Sequence, residues 1–441
     1  MALLIEKYFG GNRRVAMLSF ALLAVVAVIH FRVIFSWLPV DPDQLITLSF
    51  GTRTLASIFQ HQLLDYLPGY RPLFGFSVWL QYRLQGIDHI GLYYLVNLAF
   101  LWGIACMVFA AVRHVTGRVD AAVIVAVAML VDERNHVALI WLDRQISMAA
   151  FFGLAALLVL WRGGGRGWTL VAATVLLLLS MLSKEYGLAY VGLLGLESVR
   201  RLLVDRKDST AAGWLTVACA AAVVYFAMRF FLASGATGEY CEVEGYFWQS
   251  AQVCFDENSG ISALPQLIYN IVATFIGTFL PGLFNGDGRL ADFAAISPRY
   301  LFYSACFAGF ALYAVFRSSY EARLAILLVA CNAILSFLLF RHRNHMVAEI
   351  GLYIASGIGL AEALRLCEGA RWRRAMRLAI LGSFALLIAA LSYRTEISLD
   401  AAYERLRMAN FCDSIASNRG IDQRLAREIE AKYRPWLSPC R

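Results

Sequence analysis

The sequence is poor in charged residues. Only 16% of its 441 residues are Asp, Glu, Lys or Arg, whereas a soluble domain has about 25%. Hydrophobic residues make up 60% of the chain, and long apolar runs recur from near residue 15 to residue 393. Each run is long enough to cross a hydrocarbon core of about 30 Å. The composition therefore excludes an ordinary water-soluble enzyme and predicts an all-α, polytopic membrane protein.

Features of cofactor-binding proteins are absent as well. No Cys–Cys or Cys–His pair has zinc spacing, and the glycine run 163–165 lacks the strand and helix that flank a nucleotide-binding loop. The sequence shows no internal repeat, low-complexity tract or strand-like alternation. We therefore expect no cofactor, and a divalent metal has no support. The net charge of +8 is explained by basic cytoplasmic loops, so we expect no nucleic-acid partner.

The apolar runs predict about eleven spans and one further apolar helix at about 264–284. The spans are expected at about 15–37, 90–112, 119–139, 143–162, 168–183, 186–203, 211–233, 300–316, 321–340, 345–366 and 374–393.

The loops between these spans predict the orientation. Basic residues precede the first span and recur in alternate loops, whereas the segment 234–263 has five acids and no Lys or Arg. The positive-inside rule then places the N-terminus in the cytoplasm and 234–263 outside. If the helix at 264–284 crosses the membrane, the basic stretch Arg365 to Arg377 lies outside, against the rule. We favour a re-entrant or interfacial helix there, which returns this stretch to the cytoplasm.

This topology gives a transmembrane domain over residues 1–393 and a small external helical tail over 394–441. The external loop 38–89 is expected to contain an amphipathic helix on the outer leaflet, and the external loop 234–299 the re-entrant helix. The apolar residues of the amphipathic helix are Leu45, Leu48, Leu55, Ile58, Phe59 and Leu63.

Cysteine positions are consistent with this sidedness. Five of the nine Cys lie in or at the ends of spans, where Cys acts as a small hydrophobic residue. The other four all lie in segments assigned outside, and an even number in an oxidising compartment favours disulfides. We predict the bonds Cys241–Cys254 and Cys412–Cys440.

Ionisable residues collect at the outer ends of the predicted spans, although charges near a membrane are costly. They are Asp41, Asp43, Asp132, Glu133, Arg134, His136, Asp143, Arg144, Lys184, Glu185, Arg341, His342, Arg343 and His345. Acids and cations at one membrane depth predict a site for an anionic, lipid-linked substrate.

Each group in this set also has a purely structural interpretation. Asp41 and Asp43 are placed to cap the following helix, and Lys184 with Glu185 is placed to form an ion pair within a tight turn. Residues 341–345 fit an ordinary loop, although a basic external loop opposes the usual bias. His136 fits a hydrogen-bonded interfacial histidine better than a ligand.

Four segments resemble motifs of the GT-C glycosyltransferase superfamily, particularly bacterial relatives of the O-mannosyltransferases with tetratricopeptide repeats. Tyr70-Arg71-Pro72-Leu73, followed by Gly86 and Tyr93 to Asn97, resembles Y-R-P-L … G … H-L-V-N. The other three are Trp141 to Phe152, similar to W-x-x-x-R-x-D-L-L-A-x-x-F, Leu182 to Glu185, similar to L-S-K-E, and Ala348 to Ser356, similar to A-E-R-Y-L-Y-L-P-S. The resemblance covers most of residues 1–366 in the family's order.

The resemblance implies a polyprenyl-phosphate-sugar donor, inversion at the anomeric carbon and a catalytic carboxylate in the first external loop. Asp43 is the first choice for this carboxylate and Asp41 the second. Arg71 corresponds to the cation that contacts the donor phosphate in the aminoarabinose-transferase version, and Glu349 to the acid of A-E-R.

The sequence departs from the pattern, since Ile350 and Gly351 replace the Arg and Tyr of A-E-R-Y and no repeats follow. Arg341, Arg343 or His345 is then expected to replace the missing Arg.

The expected function is therefore transfer of a sugar to a glycan, lipid or protein acceptor in a cell envelope. The expected location is a bacterial inner membrane with the site facing the periplasm. A transporter or flippase of lipid-linked sugars would instead place charges mid-span, near broken helices. An O-antigen polymerase or ligase would carry its large external loop between late spans.

Overall fold

The computed structural model describes the helical parts of the chain. The described residues are 13–30, 48–60, 70–89, 91–132, 144–163, 165–232, 260–280, 298–317, 319–335 and 345–368, with isolated positions between 375 and 431. Outside this set lie Asp41, Asp43, Glu133, Arg134, His136, Asp143, residues 341–343, all but three positions of the predicted span 374–393, and all four predicted disulfide cysteines.

The described residues form thirteen α-helices and no strand, which confirms the all-α prediction for this part of the chain. The helices are α1 (Arg13–His30), α2 (Leu55–Gln60), α3 (Pro72–Gln85), α4 (Gly91–Thr116), α5 (Val119–Val131), α6 (Gln145–Gly163), α7 (Gly167–Ser183), α8 (Leu188–Val204), α9 (Ser209–Leu232), α10 (Gly260–Phe279), α11 (Pro298–Phe316), α12 (Tyr320–Leu335) and α13 (Met346–Glu368).

Four of these helices are long and apolar enough to cross a membrane. They are α4, most of α9, α6 and most of α13. Five shorter apolar helical stretches, within α1, α5, α7, α10 and α11, accompany them among the described residues. The helices support an integral membrane protein, and the number of eleven spans remains a prediction.

Contacts along α13 establish how the helices run. Ser356 donates to the carbonyl of Phe307 at 2.7 Å, and a Cβ at Gly359 would clash with the backbone of Phe310, so α11 runs parallel to α13. Tyr353 donates to Asp132 at the end of α5, and Arg365 donates to the carbonyl of Thr116 at the end of α4. Helix α4 is therefore parallel to α13, and α5 is antiparallel.

The bundle consequently has two chemically different ends. At the basic end lie the loops after α4, α6, α8 and α11, together with the end of α13. The basic residues there are Arg113, Arg118, Arg162, Arg166, Arg200, Arg201, Arg206, Lys207, Arg317 and Arg365. At the opposite end, here called the polar end, α6, α8, α11 and α13 begin and α5, α7 and α9 finish.

This arrangement also constrains the segment around α10. Helix α9 ends at the polar end, and α11 begins there because it is parallel to α13. The chain between residues 232 and 298 therefore leaves and returns at the same end of the bundle. Because the chain makes no net crossing of the bundle between these residues, Arg365 lies at the same end of the bundle as Arg113.

Two local structures differ from the sequence expectation. The amphipathic helix expected from Leu45 to Leu63 is interrupted, because Phe50–Thr52 forms a 3₁₀ turn and Arg53 is extended before α2 begins. Leu48, Phe50 and Ile58 are buried against the protein instead of lying on the membrane. The cause is close packing on α3, where Phe50 packs edge-on against Phe74.

The third predicted span is also shorter than expected. It was placed at 119–139, whereas α5 ends at Val131 and Asp132 takes an extended conformation. Asp132 is 1% exposed, and its side chain accepts the hydrogen bond from Tyr353. An apolar run alone does not mark this end, because residues beyond Asp132 are again partly apolar.

Candidate functional site

The best-defined part of the polar end is an ion pair between two segments that are 114 residues apart. Arg71 donates from Nε to Glu185 Oε2 at 2.9 Å and from Nη2 to Glu185 Oε1 at 2.5 Å. Its Nη1 donates to the side-chain oxygen of Gln145, the first residue of α6. Two parallel bonds of this kind fix both the position and the plane of a guanidinium group.

The backbone around Arg71 explains its position. Pro72 is the first residue of α3, where its missing N–H costs no hydrogen bond and its fixed φ suits a helix start. Arg71 precedes it as the N-cap residue, so its side chain leaves the chain where the helix begins. The neighbouring Tyr70 is 1% exposed and donates to the carbonyl of Phe59 at 3.2 Å, which ties α3 to α2.

Glu185 lies in a 3₁₀ turn, Glu185–Gly187, between α7 and α8. The turn packs tightly on the end of α7, because a Cβ at Gly187 would lie 2.6 Å from Ser180 Oγ and 2.7 Å from the Met181 nitrogen. Glycine at this position lets the turn approach α7 closely and places Glu185 opposite Arg71.

The electrostatics of Glu185 follow from this pairing. Burial acts to raise the pKa of its carboxyl group, but the charge and hydrogen bonds of Arg71, with a smaller contribution from Lys184, outweigh burial. The result is a pKa lowered to about 2. Glu185 is therefore ionised at neutral pH and neutralises Arg71. The structural interpretation of the sequence was an ion pair between Lys184 and Glu185, whereas the bidentate partner of Glu185 is Arg71.

Lys184 and Arg144 bring two further cations to the polar end. Lys184 is only 6% exposed, and its Nζ lies 5.5 Å from the centre of the Tyr186 ring. Arg144 is 1% exposed and donates from Nη2 to the side-chain oxygen of Gln81 at 2.6 Å. Gln81 in turn donates to the carbonyl of Leu92 at 2.9 Å, so this contact joins α3, α4 and the start of α6.

The start of α13 supplies the remaining described members. His345 precedes the helix and Glu349 lies in its first turn, and they are 1% and 0% exposed. The backbone nitrogen of Glu349 donates to the carbonyl of His345 at 2.8 Å. Tyr353, one turn further on, donates to Asp132 at 2.5 Å. The carboxylate of Asp132, at the end of α5, and that of Glu349, in the first turn of α13, therefore lie at the same end of the bundle.

We call those ionisable site candidates of the sequence that the structure describes at this end the polar-end cluster; they are Arg71, Asp132, Arg144, Lys184, Glu185, His345 and Glu349. It contains three cations and three carboxylates besides the histidine. Charged groups that are removed from water need partners of opposite sign, and Glu185 is such a partner for Arg71. The other five members are buried, so the cluster places charge at this end of the bundle away from bulk water.

Sequence reasoning missed two polar members, Gln145 and Gln81. Both are buried, at 3% and 8% exposure, and each accepts a hydrogen bond from an arginine of the cluster. Neutral amides do not contribute to the distribution of charged residues along the sequence, so the charge pattern could not identify them. The one available signal was the position of Gln145 beside Arg144 at the start of an apolar run.

Solved structures provide the comparison with known proteins. The crystal structure of the apo oligosaccharyltransferase of Archaeoglobus fulgidus is similar to the chain, with a TM-score of 0.54, 15% identity, and coverage of 90% of this chain and 57% of that one. The chain shares the overall fold of the matched part of this oligosaccharyltransferase.

Two further structures of oligosaccharyltransferase from Archaeoglobus fulgidus are also similar. One is a complex of AglB with an inhibitory peptide and a dolichol-phosphate, with a TM-score of 0.53, 14% identity, and coverage of 89% and 56%. The other is tethered by a disulfide to an acceptor peptide with the NVT sequon, with a TM-score of 0.55, 15% identity, and coverage of 98% and 60%.

The chain therefore spans less than two thirds of the length of the solved structures that it matches. No protein-family model matches the sequence, and no curated protein does. At this level of identity the likeness shows the fold alone.

Proposed function

We propose that the protein is a membrane glycosyltransferase that moves a sugar from a polyprenyl-phosphate donor to an acceptor. The observation that carries this proposal is the polar-end cluster, which gathers buried cations and carboxylates at one end of a GT-C bundle. The dolichol-phosphate in a complex of the archaeal enzyme supports a lipid-linked donor. The acceptor is a glycan, a lipid or a protein.

The chemistry requires a stabilised leaving group. Departure of a lipid phosphate leaves negative charge on its oxygens, and pre-positioned cations in a site shielded from water stabilise that charge effectively. Arg71 and Lys184 are proposed to contact the donor phosphate, with Arg341, Arg343 and His345 approaching from the loop before α13. Glu185 and Gln145 act on the reaction through Arg71, because they hold its guanidinium in place.

The acceptor hydroxyl is a weak nucleophile and needs a base within hydrogen-bond reach. We assign this role to Asp43, with Asp41 as the alternative. A single displacement that uses one such carboxylate inverts the anomeric carbon, whereas retaining glycosidases use two carboxyl groups about 5–5.5 Å apart. The polar end faces the periplasm of a bacterial inner membrane in this proposal, where the disulfides Cys241–Cys254 and Cys412–Cys440 can form.

The test compares the variants Asp43→Asn and Asp41→Asn in a transfer assay with a polyprenyl-phosphate-sugar donor. Asparagine keeps the shape of the side chain and removes the base, so the responsible variant should lose about 10²–10⁴-fold in transfer rate. Donor binding, measured separately, should survive. Asp205→Asn is the matched control, because Asp205 is exposed at the basic end and should tolerate the change.

Two outcomes would contradict the proposal at different levels. If both variants keep full transfer activity, the base lies elsewhere, and Asp132, Glu133 and Asp143 are the next candidates. If the folded wild-type protein moves lipid-linked sugar between leaflets and forms no glycosylated product with any acceptor class, the protein is a flippase.

A further inference from the structure

A cavity of about 460 Å³ lies at the basic end, away from the polar-end cluster. Its wall comes mainly from α6, α8 and α12, with Trp214 of α9 at its mouth. The interior is apolar and formed largely by Leu154, Leu157, Leu158, Leu193, Leu194 and Leu324. Nothing in the proposed transfer reaction uses this cavity.

The depth of the cavity corresponds to one leaflet of a bilayer. Leu154 lies nine residues before the end of α6 at Gly163, and Leu194 lies ten residues before the end of α8 at Val204. At about 1.5 Å of rise per residue, both are about 14–15 Å from the basic end. Half of a hydrocarbon core of about 30 Å is the same distance.

The mouth of the cavity contains an unsatisfied donor. Trp214 is 9% exposed and lines the cavity, and its indole nitrogen has no hydrogen-bond acceptor within the described chain. An indole N–H can only donate, and a buried one usually has an acceptor. An oxygen of a bound molecule would satisfy it.

Arg201 stands beside this donor. Its guanidinium carbon lies 5.1 Å from the centre of the Trp214 ring, and its Nη2 pairs with Asp208 at 2.8 Å. Its Nε and Nη1 have no acceptor among the described residues, so they can donate to a ligand. A phosphate oxygen fits this pair of donors, because arginine binds phosphate through parallel N–H bonds.

Acidic groups lie at the same mouth. Glu321 lines the cavity and accepts from Ser319 Oγ at 3.3 Å. Glu197 also lines it and is held by Arg200, through two bonds of 2.8 Å, and by Tyr320. The mouth therefore offers hydrogen-bond donors for a phosphate group. It also offers the carboxylate of Glu321 for an ammonium group.

We propose that this cavity binds a zwitterionic glycerophospholipid of the bilayer, with one acyl chain between the leucines and the phosphate at Trp214 and Arg201. Glu321 receives the headgroup ammonium. The depth selects a molecule of the leaflet at the basic end, and the mixed charge of the mouth selects an ethanolamine headgroup over a purely anionic one. The site is independent of the proposed transfer reaction, since it lies at the other end of the bundle.

The test measures binding of palmitoyl-oleoyl phosphatidylethanolamine to the delipidated full-length protein in detergent, by native mass spectrometry. Trp214→Phe keeps an aromatic ring and removes the N–H donor, so it should weaken retention of one lipid by about tenfold or more. Leu157→Trp fills the apolar interior and should abolish that binding event. Trp168→Phe is the matched control, because Trp168 lies at the same end, is 56% exposed and does not line the cavity.

Several results would overturn the proposal. Equal lipid binding by Trp214→Phe and Trp168→Phe would contradict the proposed phosphate contact. Unchanged binding by a folded Leu157→Trp variant would contradict the proposed acyl-chain site. Displacement of the lipid by inorganic phosphate alone would show a simple anion site. Preference for polyprenyl phosphate over the phospholipid would show that the carrier occupies the cavity.

Discussion

Replacement of Glu185 by Gln tests the central contact of the proposed active site. The Arg71 side chain is 13% exposed and that of Glu185 is 26% exposed, so water screens their bidentate pair only in part. Glutamine keeps the shape of the side chain and can still accept one hydrogen bond from Arg71, but it removes the negative charge. The largely buried Arg71 then loses the counter-charge of Glu185.

The size of the effect follows from the pKa of Glu185. Burial raises this pKa and the Arg71 contact lowers it more strongly, to about 2, against about 4.3 for a free glutamate. A difference of about two units at about 1.36 kcal/mol each corresponds to about 3 kcal/mol between the charged and neutral side chain. The retained hydrogen bond offsets part of this, so Glu185→Gln should lower the free energy of unfolding by about 2 kcal/mol.

The same reasoning gives the sign of the pH dependence. Because the pKa of Glu185 is lower in the folded state, its stabilising contribution is complete above the unfolded pKa of about 4.3. It is lost as the pH falls toward the folded value of about 2. The stability difference between wild type and Glu185→Gln should therefore be constant from pH 8 to pH 5 and shrink below about pH 4.

The assay is denaturant-induced unfolding of the purified proteins in one detergent, followed by tryptophan fluorescence. Glu362→Gln is the matched control, since Glu362 pairs with Arg365 at 2.5 Å but the two side chains are 35% and 47% exposed. An exposed pair is worth less than about 1 kcal/mol. Equal effects of the two variants, or strict additivity of Arg71→Gln and Glu185→Gln in the double variant, would refute the reasoning.

Two further changes test the packing that aligns the polar end. Gly359→Ala should lower the free energy of unfolding by about 1–3 kcal/mol or more, because the new Cβ would lie 2.7 Å from the carbonyl carbon of Phe310. Gly195 has open space around it, so Gly195→Ala should be neutral or stabilising. Equal unfolding midpoints of the two variants would contradict this prediction. Tyr353→Phe removes the donor to Asp132 and should cost about 1.5–3 kcal/mol. Tyr313→Phe removes a hydroxyl that has no hydrogen-bond partner among the described residues and should cost little, so equal unfolding free energies of the two variants would contradict the contact.

Most helices could be predicted from the sequence because a membrane span leaves a long apolar run. The run expected at 143–162 corresponds to Gln145–Gly163, and that expected at 168–183 to Gly167–Ser183. The structure of the first external loop was harder to predict, because apolar residues at helical spacing indicate which face of a helix is buried but not what that face packs against. Phe50 and Ile58 pack on α3, so one expected helix became two short pieces.

Partners within the site could not be predicted, since they join distant segments. Lys184 and Glu185 are adjacent in sequence and were interpreted as a possible pair with each other. The extended backbone at Lys184 and the turn after it instead direct Glu185 to Arg71. Burial of Asp132 depends on Tyr353, which is 221 residues away and was noted only as part of a motif.

The neutrality of the polar-end cluster changes how a donor phosphate should be held. Its described cations Arg71, Arg144 and Lys184 are matched by three carboxylates, those of Asp132, Glu185 and Glu349. A neutral cluster exerts little long-range attraction, so affinity must come from short charge-assisted hydrogen bonds in a site poor in water. Rigid placement of Arg71 by Glu185 and Gln145 serves that purpose, because a fixed guanidinium loses little freedom when a phosphate binds. Further positive charge at this end comes from Arg229, in the last turn of α9, and from Arg299, the second residue of α11.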